Sequence, residues 1–382
     1  MIRRLIWALV RVVYVNIIKP IMFLAQPDGV HDRMVRVFSF IGRFACFRRL
    51  IRAVFQRPVN DKLRQTYRGI EFTNPVGLSA GLDKNGEIMP VIAALGFGFG
   101  VVGSVTAKRC AGNPKPWFYR LPKSQSLVVN AGLANQGSKA VIRRVSAYAP
   151  SMIEHFPVIL SVAKTNSRQV VSVQDGIDDY MATVRRAVDA PNIRAIELNI
   201  SCPNTYGGEP FTNARDLELL LAATDEIHSS KPLFVKMPND LPWAKFERLL
   251  DVIIRHKVSG VTIANLAKDR SRIALKEDLP NTVSGNLSGK PTQDNSNELI
   301  RQTYLAYGDK LIIVGVGGIF SAEDAYLKIQ LGASLVGLIT GMIFRGPQLA
   351  AEINDRIAGL LEHDGYTHIS QAIGVKAATH GR

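Results

Sequence analysis

The segment Asn199-Ile200-Ser201-Cys202-Pro203-Asn204 puts a thiol, two side-chain amides and a proline within six residues, at the end of an apolar run. A cysteine has a reference pKa of about 8.5 and can act as a base without the activation that a serine hydroxyl needs. The amides of Asn199 and Asn204 can both donate and accept toward a planar heterocycle, and Pro203 stiffens the chain between them. A lone cysteine is more often an inert apolar filler, so it is the neighbours that favour proton abstraction here. Asn199-Ile200-Ser201 also spells a glycosylation sequon, but a buried strand end is the wrong context for one. Lys236 closes another apolar run, where an ammonium must meet an anion, lose its charge or snorkel to solvent. Gly315-Val316-Gly317-Gly318-Ile319 and Thr340-Gly341 suit either a tight turn or close approach of backbone N–H groups to a phosphate.

These groups need a scaffold that brings distant segments to one place. From residue 72 onward, short β-rich runs alternate with helical patterns, the signature of parallel βα units. Eight are expected: Pro75–Ala80, Phe99–Ser104, Pro157–Ala163, Ala195–Ile200, Leu233–Met237, Gly260–Ala264, Leu311–Val316 and Ser334–Ile339. A further extended stretch, Leu127–Asn130, belongs to a long excursion after the second run. The polar and glycine-rich clusters follow the runs, as they do in a (β/α)8 (TIM) barrel with its active site at the C-terminal strand ends. A doubly wound open sheet is the competing α/β architecture, but no G-x-G-x-x-G follows the first strand.

The 382 residues are 47% hydrophobic and 21% charged, which suits one large globular barrel rather than a disordered chain. Three widely spaced cysteines, Cys46, Cys110 and Cys202, form no metal or disulfide pattern and point to a reducing compartment. No metal is expected. The net charge of +15 is concentrated at the start, where residues 1–70 hold fourteen Lys or Arg against three Asp, a net +11. Within that region Met34, Val37, Phe38, Ile41, Phe44, Leu50, Ile51, Val54 and Phe55 recur at mostly helical spacing among arginines. Residues 5–24 are more apolar but are interrupted by Arg11, Asn16, Lys19 and Pro20, short of the roughly 18 uninterrupted apolar residues of a spanning helix. Residues 1–55 therefore read as a helical segment lying in an anionic lipid interface, and residues 56–382 as the catalytic barrel. Helices packed on the barrel with solvated arginines are the alternative. The basic helices lack interleaved stacking aromatics, so no nucleic-acid partner is expected.

Along residues 20–380 the chain resembles the dihydroorotate dehydrogenases. The matching stretches are Asn74-Pro75-Val76-Gly77, Ala80-Gly81-Leu82-Asp83-Lys84, Gly103-Ser104-Val105-Thr106, Gly112-Asn113-Pro114, Arg120-Leu121-Pro122, Asn199 to Thr205, Leu287-Ser288-Gly289-Lys290-Pro291 and Gly315 to Gly318. The basic helical N-terminus resembles the membrane-associated, quinone-reducing class. The resemblance implies FMN contacted by Ala80, Gly81, Ser104, Asn199, Lys236, Ser288, Gly289, Gly318 and Thr340. It implies dihydroorotate held by Lys84, Asn130, Asn199, Asn204 and Asn265, with Cys202 as the base at C5, hydride passing from C6 to the flavin, and orotate as product. Arg120 matches a position facing the quinone tunnel, and the expected location is the cytoplasmic face of a bacterial inner membrane or the mitochondrial inner membrane. Four features depart from the quinone-reducing pattern. Cys202 stands where serine is usual, as in the soluble classes; the loop Asn130 to Gly137 is short; Leu266 replaces threonine or serine; and Ile339 replaces tyrosine. A related flavin enzyme using another dihydropyrimidine or fumarate, and a non-catalytic flavin-binding membrane-surface protein, are the other readings.

Overall fold

The structure, a computed structural model, describes residues 2–202, 205–206 and 208–379. Eight parallel strands close on themselves: β1 (Val76–Leu78), β2 (Phe99–Val105), β3 (Val158–Val162), β4 (Ile193–Asn199), β5 (Leu233–Lys236), β6 (Gly260–Ile263), β7 (Ile312–Val316) and β8 (Leu335–Leu338), with β8 pairing back onto β1. Each falls on one of the eight expected runs, and closure excludes the open-sheet alternative. The strands read as nearly continuous apolar runs because both of their faces are covered, by helices outside and by side chains within. The lower half of the interior is filled by Phe99, Ile159, Ala195, Phe234, Val314 and Leu335. Phe72, from an antiparallel hairpin (Gln65–Tyr67 and Ile70–Phe72), plugs that end. Polar side chains are thereby restricted to the upper layers and the rim. Of the stretch Leu127–Asn130, residues 127–129 lie in the central strand of a three-stranded antiparallel sheet, Phe118–Leu121, Ser126–Val129 and Asn286–Leu287, and Asn130 follows its end.

Four α-helices precede the barrel: α1 (Ile2–Val13), joined through a π-helical turn (Tyr14–Ile18) to α2 (Lys19–Leu24), then α3 (Pro27–Gly42) and α4 (Ala45–Phe55). The interruptions at Arg11, Asn16, Lys19 and Pro20 do not break the first rod. It runs 23 residues from Ile2 to Leu24 and is long and apolar enough, by length and composition, to cross a membrane. Its polar side chains are spent on the protein instead. Arg4 pairs with Asp355 at 2.6 Å, Arg11 with Glu352 at 3.5 Å, and Trp7 Nε1 donates to Val54 O at 2.8 Å. Tyr14 Oη donates to Ile343 O at 2.8 Å. The opposite face, Ile2, Leu5, Leu9, Val12, Ile17, Ile21 and Leu24, is exposed. This is the reverse of a soluble surface helix, which turns its apolar stripe to the core.

The amphipathic pattern over residues 34–55 becomes α3 and α4, hinged where the buried Arg48 guanidinium donates to Gly42 O and Arg43 O and so caps the end of α3. Phe40, Phe44 and Phe47 meet edge-to-face and stay exposed beside Arg43 and Arg49. Trp7 is the side chain that docks the rod. Trp7→Ala, at a large-to-small cost of roughly 3–5 kcal/mol, is expected to release α1 before the barrel melts. Limited proteolysis should then cut within the first 25 residues faster while the barrel's thermal midpoint changes little; a lowered barrel midpoint without faster cutting would contradict this docking role.

Candidate active site

Lys84 is positioned by the turn after β1. The buried carboxyl of Asp83 accepts from the backbone N–H groups of Glu87 and Ile88, each at 2.8 Å, fixing the loop that carries the lysine. Burial raises the Asp83 pKa, and these N–H bonds act against that rise. The Lys84 ammonium lies 5.1 Å from the centre of the Phe118 ring, 5.9 Å from that of the Trp117 ring and 3.3 Å from His31 Nε2, which also contacts Leu82 O at 3.0 Å. Desolvation lowers the Lys84 pKa to about 8, with Asp32, Asp83 and Asp28 partly restoring it. His31 is itself pushed down, by burial and then by the neighbouring Lys84 charge. Sequence reasoning passed over His31, Trp117 and Phe118; a histidine on an otherwise Arg-rich amphipathic helix was the one available signal.

Across the mouth, four strand ends share a chain of hydrogen bonds. Asn199 Nδ2, at the end of β4, donates to Ser104 Oγ of β2 at 2.8 Å, and Ser104 Oγ meets Ser161 Oγ of β3 at 2.9 Å. Asn265 Nδ2, just past β6, donates to Asn199 Oδ1 at 3.1 Å and to Ser201 O at 2.7 Å. Tyr180 Oη donates to Asn199 O at 2.7 Å and holds the strand end from behind. Lys236 closes β5 with its side chain 7% exposed, and no carboxylate pairs with it among the described residues. Opposite, Gly317 and Gly318 adopt φ of +117° and +70°. A Cβ on Gly318 would lie 2.3 Å from Gln293 Cβ, so only glycine fits the bend. Ser288 Oγ and Thr340 Oγ1 stand 3.0 Å apart beside it.

Cys202 is half-buried in the same cavity, and Thr205 Oγ1 donates to its carbonyl at 3.2 Å. Pro203 and Asn204 lie outside the described residues. Lys164, buried at the end of β3, donates to Val170 O at 2.8 Å and Tyr206 O at 2.9 Å, tying the loop after β3 to the loop that carries the cysteine. Burial lowers the Lys164 pKa while Asp179, Asp175 and Cys202 oppose that shift. The attraction to Cys202 favours the charged form of Lys164.

One cavity of about 500 Å³ takes in Ala80, Gly81, Lys84, Ser104, Asn199, Cys202, Lys236, Asn265, Ser288, Gly289, Gly318 and Thr340. It continues past Leu266, Ile339 and Arg120 to Tyr14, Ile18, Met22, Met34 and Phe38 of the N-terminal helices. Arg120 donates to Ala25 O at 2.7 Å, with its guanidinium 4.5 Å from the centre of the Phe23 ring. Asn130 is not part of this lining; its Oδ1 accepts from Asn113 Nδ2 at 2.9 Å. Among the described residues no cluster of His, Cys, Asp or Glu could hold a metal ion.

Residues 62–361 match the model of the dihydroorotate dehydrogenase family. The chain belongs to that family. A relative from Deinococcus deserti named dihydroorotate dehydrogenase (quinone) is 34% identical over 379 residues, covering 95% of this chain and 100% of its own. Another of the same name from Haloarcula marismortui is 38% identical over 317 residues, covering 82% and 86%. The crystal structure of the Eimeria tenella enzyme in complex with ferulenol superposes with a TM-score of 0.81 at 25% identity, covering 92% of this chain and 95% of that one.

A lysine whose pKa is lowered to about 8 is charged below that pH and neutral above it. With orotate as the probe, affinity should be retained below pH 8 and fall as pH rises through it. Lys84→Met should weaken binding by about 100-fold at pH 7, equivalent to roughly 3 kcal/mol. Isothermal titration across pH 6–10 checks both, and a flat profile in the parent protein would remove Lys84 from carboxylate binding.

Proposed function

We propose that this chain oxidises (S)-dihydroorotate to orotate, using bound FMN and delivering the electrons to a membrane quinone, the redox step of de novo pyrimidine (UMP) biosynthesis. The observation that carries this reading is the continuity of the cavity, with polar, base-bearing residues at the barrel mouth and apolar helix residues at the other end. The FMN fit rests on the donor set: the Ser288 and Thr340 hydroxyls beside the glycine bend suit its phosphate, and the Lys236 ammonium suits the electron-rich edge of its ring. When bound, FMN supplies the two-electron acceptor for the hydride leaving C6 of the substrate.

The chain's own residues perform the remaining tasks. Lys84 pairs with the substrate carboxylate in a partly desolvated pocket, where the ion pair is stronger than in water. Asn199 and Asn265, and Asn204 from the sequence pattern, orient the ring by its amide edges. The Cys202 thiolate takes the C5 proton, and the Lys164 ammonium steadies the thiolate before transfer. Arg120, Met22 and Tyr14 line the apolar approach proposed for the quinone ring. The exposed apolar stripe on the first rod, with the Phe40, Phe44 and Phe47 cluster flanked by arginines, would seat that end of the cavity in an anionic lipid surface on the cytoplasmic face. Residues 1–55 act as the access segment and residues 56–382 as the catalytic barrel.

Cys202→Ala should leave FMN bound and slow its reduction by dihydroorotate about 10²–10⁴-fold in stopped-flow measurements, the usual contribution of a general base; reduction at the parent rate would remove Cys202 from the mechanism. In the parent protein that rate should rise with pH toward the thiol range. Deleting residues 1–55 should abolish vesicle binding and lower quinone turnover far more than flavin reduction, and undiminished vesicle association would contradict the interfacial role.

A further inference from the structure

One layer below the mouth, on the barrel axis, a second and much smaller chamber of about 10 Å³ lies among Ser79, Glu197, Thr262 and Lys236. Glu197 is 3% exposed. Its Oε2 accepts from Thr262 Oγ1 at 2.7 Å, while its Oε1, fully enclosed, has no hydrogen-bond partner among the described residues. Ser79 Oγ, also enclosed, is unpartnered in the same way. Strand register fixes the relation to the lysine. Asn199 and Thr262 are both Cα partners of Lys236, and Glu197 precedes Asn199 by two residues, so it shares the inward face one layer down. Lys236 lines both this chamber and the large cavity above it.

A buried carboxyl oxygen and a buried hydroxyl, both unpartnered, are each costly unless something satisfies them. The chamber is about the size of one water molecule, and its polar lining meets the requirement for two or more partners. We propose that a single buried water bridges Ser79 Oγ and Glu197 Oε1 to the Lys236 ammonium, and that Glu197 is a positioning residue whose fixed negative charge sets how strongly Lys236 stabilises reduced FMN. The inference rests on the reading that Lys236 faces the flavin. An uncompensated ammonium facing the cofactor would hold its reduced form too firmly; a carboxylate one layer below offsets part of that field and favours release of electrons toward the quinone. A carboxylate that only anchored Thr262 would leave the potential unchanged when its charge is removed.

The test is the reduction potential of bound FMN in the holoenzyme, read by spectroelectrochemical titration together with flavin content. Glu197→Gln keeps the shape and removes the charge; it should raise the midpoint, with a tenfold change in the reduction equilibrium appearing as about 30 mV for a two-electron couple. Ser79→Ala keeps the charge but loses one anchor of the water, and should shift the midpoint less in the same direction. A high-resolution crystal structure of the parent holoenzyme should show one water within hydrogen-bonding distance of Ser79 Oγ and Glu197 Oε1. An unchanged midpoint in Glu197→Gln at full FMN content, or a dry chamber, overturns the proposal. If Glu197→Gln does not fold, an unshifted Ser79→Ala midpoint or the dry chamber does so instead. A parent protein that binds no FMN overturns the underlying reading and this inference together. A parent protein whose FMN is reduced by dihydroorotate, with an unmoved potential in the variants, overturns this inference alone.

Discussion

Closure of eight parallel strands forces all their C-terminal ends onto one rim, and most of the groups proposed for chemistry among the described residues lie on or just beyond that rim. Lys84 follows β1, Ser104 belongs to β2, Asn199 ends β4, Lys236 ends β5 and Asn265 follows β6. Because the lower barrel is packed with Phe99, Phe234 and Phe72, charge introduced at the rim is poorly screened from below. Each polar side chain there must be paired, hydrogen-bonded or held for a ligand. The Asn199–Ser104–Ser161 chain and the Asn265 contacts meet that demand across separate strands and so fix the shape of the mouth.

The same constraint explains what could be read from sequence. Parallel strands buried on both faces leave apolar runs that stand out between helical patterns, so β1 to β8 could all be located. The glycine bend at Gly317-Gly318 and the segment around Cys202 were legible because their residue types are unusual at strand ends. The roof of the site was not. His31 reaches Lys84 from a helix more than fifty residues earlier in the chain, and Trp117 and Phe118 arrive from the antiparallel sheet; no periodicity encodes such contacts. Glu197 sits within an apolar strand, and only the register with Lys236 reveals that the two are stacked on the barrel axis. Asn130 fits the family pattern, yet the structure engages it with Asn113 beside the cavity.

The N-terminal rod shows how composition and contacts can point different ways. By length and hydropathy it could cross a membrane. Arg4, Arg11 and Tyr14 are instead bonded along one side to the barrel's C-terminal helices and Trp7 to α4, and its apolar residues face out. A helix tied to its own domain along its length is suited to lying in an interface. One cavity runs from these helices to the barrel mouth, so Cys202, which resembles the soluble classes, and the helical N-terminus, which resembles the quinone-reducing class, line the two ends of one path.

The most direct test of the account is anaerobic reduction of the FMN-loaded protein by dihydroorotate, followed by rapid mixing in parallel with a quinone, fumarate or NAD. Rapid reoxidation by the quinone, with fumarate and NAD slow, is the predicted result. Fast reoxidation by fumarate but not by quinone would contradict it.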